Sequence, residues 1–128
     1  MDFSGNNFNF YSDEFSMQVR VHDLDRLSKD AIFLDLKGEL SLYYSQSIKT
    51  ILNNLIEEGR IKILLEMQKV AYMDSSGMGA FLTTHAKLKK MQGYVRIINP
   101  SMEVANMLDL MKLTNFLQIF TTLEDALG

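Results

Sequence analysis

The chain repeatedly switches between two hydrophobic periods, and that switching restricts its fold more than any other feature. In "IKILLEM", Ile61, Ile63, Leu65 and Met67 oppose Lys62, Leu64 and Glu66, a period of two that specifies a strand. In "YSQSIKTILNNLIEE", residues 44–58, Ile48, Leu52, Leu55 and Ile56 recur at helical spacing, and Gly59 is a stop. Met17, Val19 and Val21 alternate with Gln18, Arg20 and His22, which makes a first strand. "LDRLSKD" reads as a turn and "AIFLDLKGEL" as a second strand with Ile32, Leu34 and Leu36 on one side. After "IKILLEM" a second helix runs to about Met91 and ends before Gly93, and "YVRIIN" forms a fourth strand closed by Pro100. "SMEVANMLDLM" is a third helix, with Ser101 as cap and Val104, Leu108 and Met111 inward. "FLQIF" is a short fifth strand, and "TLEDAL" a last helix capped by Thr121 or Thr122.

The order ββαβαβαβα predicts an α/β fold with mostly parallel strands joined by crossover helices. Sheets covered on both faces use nearly continuous apolar strands; these strands mostly alternate. The expected architecture is therefore one domain, residues 15–128, with a mixed, mostly parallel sheet of about five strands and helices mainly on one face. The other face still carries Phe33, Leu64 and Ile98. Residues 1–14, an N-terminal extension with Phe3, Phe8, Phe10 and Tyr11 among asparagines, either cover that strip or form an unpacked tail.

Composition removes several functions. At 128 residues the chain can bury one sizeable core. A net charge of −3 argues against a nucleic-acid binder, which needs a basic surface to neutralise phosphates. With no cysteine, disulfides, thiol catalysis and thiolate metal sites are excluded, and His22 and His85 are too few and too separated for a histidine-rich metal site. There is no basic start followed by an apolar run, and no apolar stretch of membrane-spanning length; the expected location is the cytoplasm.

One motif stands apart. "YMDSSGMGAF" places Asp74, Ser75 and Ser76 where a strand passes into a helix. Asp and Ser are preferred helix caps, so the acid and hydroxyls have a structural explanation. The glycines do not, since Gly77 and Gly79 each weaken a helix by roughly 1 kcal/mol relative to alanine. They imply a close approach of backbone to the sheet, to a partner surface or to a phosphate. Neither serine is flanked as in a nucleophile elbow, no lysine follows "GMG" as a P-loop requires, and His85 falls with Met78, Phe81, Leu82 and Leu88 on the inward stripe. No catalytic residue, cofactor or metal is expected. Lys87, Lys89 and Lys90 read as a solvated face near the helix end.

This motif, preceded by "LKGEL" and followed by "VRIINPSMEVANMLDLMKLTNFLQIF", resembles the STAS domain of bacterial anti-sigma-factor antagonists across residues 16–127. The resemblance implies phosphorylation of Ser75 by a serine-kinase anti-sigma factor, which the unphosphorylated form binds so that a sigma factor is released. A serine phosphatase would reverse the modification. Asp74, Ser75, Ser76, Gly77 and Met78 are the implied partner-binding residues, with Asp74 orienting the loop, Ser76 capping the helix and Met78 partly exposed. The alternative is a STAS subunit of a larger assembly, such as a lipid-transport ABC complex or a stress-signalling scaffold, without the switch. Lys112 stands where the third helix of that family commonly ends in glycine.

Overall fold

The computed structural model describes residues 8–20, 23 and 26–127. One six-stranded sheet runs in sequence order: β1 (Phe10–Tyr11), β2 (Phe15–Val19), β3 (Ala31–Leu40), β4 (Lys62–Met73), β5 (Tyr94–Ile98) and β6 (Gln118–Phe120). β1–β2 and β2–β3 are antiparallel, and the later pairs are parallel. The helices are α1 (Ser45–Glu57), α2 (Ser75–Lys89), α3 (Met102–Leu110) and α4 (Leu123–Leu127), with 3-10 turns at Leu42–Tyr44 and Leu113–Asn115. The mixed, mostly parallel sheet and its order of helices are as expected, with one strand, β1, added ahead of residue 15. Val21, His22 and Phe3 lie outside the described residues.

Alternation decides which side chains enter the core. Ile32, Leu34 and Leu36 of β3, Ile63, Leu65 and Met67 of β4, and Val95 and Ile97 of β5 face α1, α2 and α3 and are fully buried. α1 answers with Ile48, Leu52 and Leu55, α2 with Met78, Phe81 and Leu88, and α3 with Val104 and Leu108. Thr122 caps α4, accepting a hydrogen bond from the Asp125 N–H at 3.2 Å. Ser101 caps α3 and also donates to the Val70 carbonyl at 2.6 Å, which pins α3 to β4.

The opposite face has a smaller cluster. Phe33, Leu64 and Ile98 are covered by Leu123 and Ala126 of α4. The strip is thus covered by the C-terminal helix, and the described residues of the N-terminal extension follow neither of the two alternatives, cover or unpacked tail. Phe8 is buried in the main core and Phe10 packs against it, while Phe10 and Tyr11 pair with β2. Phe10, Phe15 and Tyr44 form an aromatic cluster with centroids 5.3–6.2 Å apart, and the Tyr44 hydroxyl donates to Glu14 at 3.0 Å.

β4 continues to Met73, well past the expected end at Met67. Its pairing with β3 shifts register between Asp35 and Lys37 and again between Gly38 and Glu39. The inward residues therefore become Met67, Val70 and Met73, spaced by three, and the period-two signal disappears although the strand does not. Lys112, after α3, has φ +58°, the left-handed conformation that glycine adopts without steric cost.

Two substitutions check which segment covers which face. Leu123→Ala should lower stability by about 2 kcal/mol and Phe8→Ala by about 3 kcal/mol in urea unfolding, because each empties a buried site. A Leu123→Ala variant with an unchanged urea midpoint would show that α4 does not cover the outer face.

Candidate functional site

The site is built where β3 and β4 end and α2 begins. Asp74 is the last extended residue, at φ −121° and ψ 170°, and its N–H donates to the Leu40 carbonyl at 3.2 Å. Its Oδ1 accepts the Gly77 N–H at 2.7 Å, so Asp74 is the cap of α2. Its Oδ2 accepts the Tyr72 hydroxyl at 3.3 Å. The carboxylate thus sits at the positive end of the helix dipole, the place where an anion is most favoured. The expectation that Ser76 caps the helix is corrected: a cap must precede the first helical residue, and Ser76 is already the second.

Ser75 is the first residue of α2. It and Ser76 are exposed, and Asp74 is half-buried. The Ser75 hydroxyl is therefore offered to solvent from a helix start whose backbone is fixed on both sides. Gly77 is buried, and a Cβ there would lie 2.2 Å from the Leu40 carbonyl oxygen and 2.6 Å from its carbon. Of the three reasons open to this glycine, packing on the sheet is the one the geometry supplies. Gly79 differs, since a Cβ there meets nothing within 4 Å. Met78 is fully buried, not partly exposed: it points into the core and its side chain offers nothing to a docking surface.

Three surface residues were not singled out from the sequence. Leu42 and Tyr43 are 63% and 84% exposed, on a turn that begins one residue after Leu40 and packs against α2. Tyr72 is 43% exposed beside Asp74. The available signal was "SLYY", apolar residues where a polar connection between strand and helix is usual. The negative charge of Asp74 holds the Tyr72 hydroxyl above its ordinary pKa, assisted by partial burial, the shared hydrogen bond and the charge of Glu39. The local potential is thus already negative.

His85 lies farther along α2 and is half-buried. Its Nδ1 accepts the Val95 N–H at 2.9 Å. β6 pairs with β5 only from Arg96 onward, so the imidazole serves an amide that the neighbouring strand does not reach. Burial, reinforced by the charges of Lys89 and Arg96, lowers its pKa. Among the described residues no group of three His, Asp or Glu side chains is placed to hold a metal ion, and no helix is long and apolar enough to cross a membrane.

Comparison with known proteins agrees with this architecture. The STAS domain family model matches residues 21–126, and the chain belongs to that family. It is similar to the anti-sigma-B factor antagonist of Bacillus subtilis (strain 168), with 27% identity over 92 residues, 72% of this chain and 84% of that protein. Among solved structures it matches the anti-sigma factor antagonist SpoIIAA in its unphosphorylated form, with TM-score 0.70, 23% identity, and 87% and 92% of the two chains covered. The phosphorylated form of SpoIIAA from Bacillus matches with TM-score 0.63 and 22% identity, covering 87% and 96%. At these identities the structural likeness concerns the fold.

The two glycines should respond oppositely to alanine. Gly77→Ala should lower stability by about 2–3 kcal/mol, because the new methyl meets backbone that cannot yield without moving β3. Gly79→Ala should leave stability unchanged or raise it by up to about 1 kcal/mol. Equal losses at both positions, measured by urea unfolding, would contradict this packing.

His85 should make stability depend on pH. A pKa lowered on folding means that the unfolded chain binds the proton more readily. The stabilisation is then complete above the unfolded value, about 6.5, and is lost as pH falls through the folded value. Urea midpoints should fall as pH drops below about 6.5, with a shallower decline in His85→Phe. Parallel curves for the two proteins would overturn the assignment.

Proposed function

We propose that this chain is an anti-sigma-factor antagonist that works by binding, not catalysis. When unphosphorylated it docks a serine-kinase anti-sigma factor on the surface around Ser75, which releases a sigma factor. Phosphorylation of Ser75 by that kinase ends the interaction, and a serine phosphatase restores it. The observation that carries this reading is the exposed Ser75 hydroxyl at the first position of α2, beside the half-buried cap Asp74. Membership of the STAS family and similarity to an anti-sigma-B factor antagonist support it.

The chemistry follows from the placement. A small neutral hydroxyl on a fixed helix start lets a partner approach, and the open space over Gly79 extends the approach along α2. Leu42 and Tyr43 supply apolar contact area on the same surface. A phosphate adds about −1.5 to −2 charge next to Asp74. The α2 dipole tolerates that charge within the protein, but a partner that fitted the neutral surface would have to desolvate it. The chain matches SpoIIAA over 87% of its length in both its unphosphorylated and its phosphorylated form, which supports a switch that leaves the fold in place.

Ser75 variants test the proposal. Ser75→Ala should fold, refuse phosphate and bind the kinase like the unmodified protein. Ser75→Asp should fold yet bind about a hundredfold more weakly, a loss of about 2.7 kcal/mol. Ser76→Ala should still be phosphorylated. Calorimetry measures binding, and mass spectrometry maps phosphate transferred by a kinase recovered with the protein. Phosphate on Ser76 in the Ser75→Ala variant would refute the site. Tight binding by Ser75→Asp, with no phosphate on any variant, would favour a constitutive STAS subunit.

A further inference from the structure

Ten residues beyond Ser75, roughly 15 Å along α2, His85 opens onto two adjoining clefts of about 430 Å³ and 400 Å³. They share His85, Lys89, Asn115 and Phe116. The walls of the first are mainly apolar, from Leu82, Ala86, Leu113 and the ring of Phe116, which is 65% exposed. The second reaches Tyr94 and Arg96 on β5. The site combines an apolar groove with polar groups at one end, the usual composition of a small-molecule site.

The polar end selects the charge. Arg96 is fixed: its guanidinium lies 3.7 Å from the Tyr94 ring centroid, its Nε donates to Gln118 at 2.9 Å and its Nη1 to the Ala126 carbonyl at 2.7 Å. No carboxylate is among the described residues that line either cleft, so the charges of Lys89 and Arg96 are not neutralised there. His85 accepts the Val95 N–H at Nδ1, so the neutral ring carries its proton on Nε2 as a donor. One exposed ammonium, that of Lys89, and one imidazole N–H suit the two oxygens of a carboxylate. In the first cleft Asn115 is the one further polar side chain among the described lining residues, a donor set that suits a monoanion with an apolar tail better than a phosphate dianion, whose recognition takes several donors.

We propose that the two clefts bind a small amphiphile, with its carboxylate head between His85 and Lys89 and its apolar tail along Leu82, Ala86, Leu113 and Phe116. The site lies at the opposite end of α2 from Ser75 and does not depend on the phosphorylation reading.

Octanoate is the probe, with octanol, acetate and inorganic phosphate as controls, each titrated into the full chain at pH 7.5 and followed by NMR at the His85 and Phe116 rings. Octanoate should give saturable shifts at both rings and bind at least tenfold more tightly than any control. At saturation the His85 pKa should rise, because an anion beside the ring favours the imidazolium. Lys89→Gln should weaken octanoate at least fivefold and leave octanol unchanged, while Phe116→Ala should weaken both; both positions are exposed, so folding is spared. Ser75→Asp should bind octanoate like the wild type. The proposal fails if no shift saturates, if octanol matches octanoate, or if acetate or phosphate binds as tightly.

Discussion

The surface around Ser75 depends on one contact, that between the first turn of α2 and the end of β3. The Leu40 carbonyl accepts the Asp74 N–H and lies where only a glycine can sit at position 77. Asp74 closes the same turn by capping Gly77. These contacts fix where β4 stops, the angle at which α2 leaves the sheet and the exposure of Ser75. They also place the Leu42–Tyr44 turn, which follows Leu40 after a single residue, against α2. A bulkier residue at position 77 would separate the helix from the sheet and disperse the surface on which the proposed function depends.

The electrostatics of that turn are arranged around one anion. The helix start is positive by its dipole, and Asp74 already occupies the position of strongest attraction. Ser75 lies one residue farther on, at the first position of the helix, so a second anion there shares the dipole with the first. The Tyr72 hydroxyl donates to the Asp74 carboxylate, whose charge raises its pKa. A charge added at Ser75 therefore acts on a potential that is already negative, and on a backbone held by hydrogen bonds that do not involve the serine side chain.

Much of the fold is legible in the sequence because the strands obey a period of two and the helices a period of 3.6. Ile32, Leu34 and Leu36, or Val95 and Ile97, are inward on pattern alone, and Ser101 reads as a cap because it precedes an apolar helical stripe. The illegible parts have physical causes. The bulges of β4 move its inward residues to a spacing of three and hide six residues of strand. β1 is only two residues long and carries no period. Nothing in the pattern says which terminus covers Phe33, Leu64 and Ile98, because any amphipathic segment satisfies an apolar strip. At the candidate site, the sequence placed Asp74, Ser75 and Gly77 at the passage from strand to helix, where the structure has them. It did not distinguish a glycine required by the sheet from one facing open space, since that depends on a carbonyl 37 residues earlier in the chain, Leu40 against Gly77.

The central claim is that a charge at Ser75 alters a surface without altering the fold beneath it. The most direct measurement is an amide-resolved NMR comparison of the unmodified protein with protein carrying phosphoserine at position 75, introduced during translation so that no kinase is needed. The account predicts changes confined to residues around Tyr72–Gly79 and the Leu40–Tyr44 turn, with the Gly77 amide still hydrogen-bonded and the core resonances of α2 and β5 unmoved. Changes spreading along α2 to Leu88 and into Val95 and Ile97 would contradict it, because the phosphate would then act by repacking the domain.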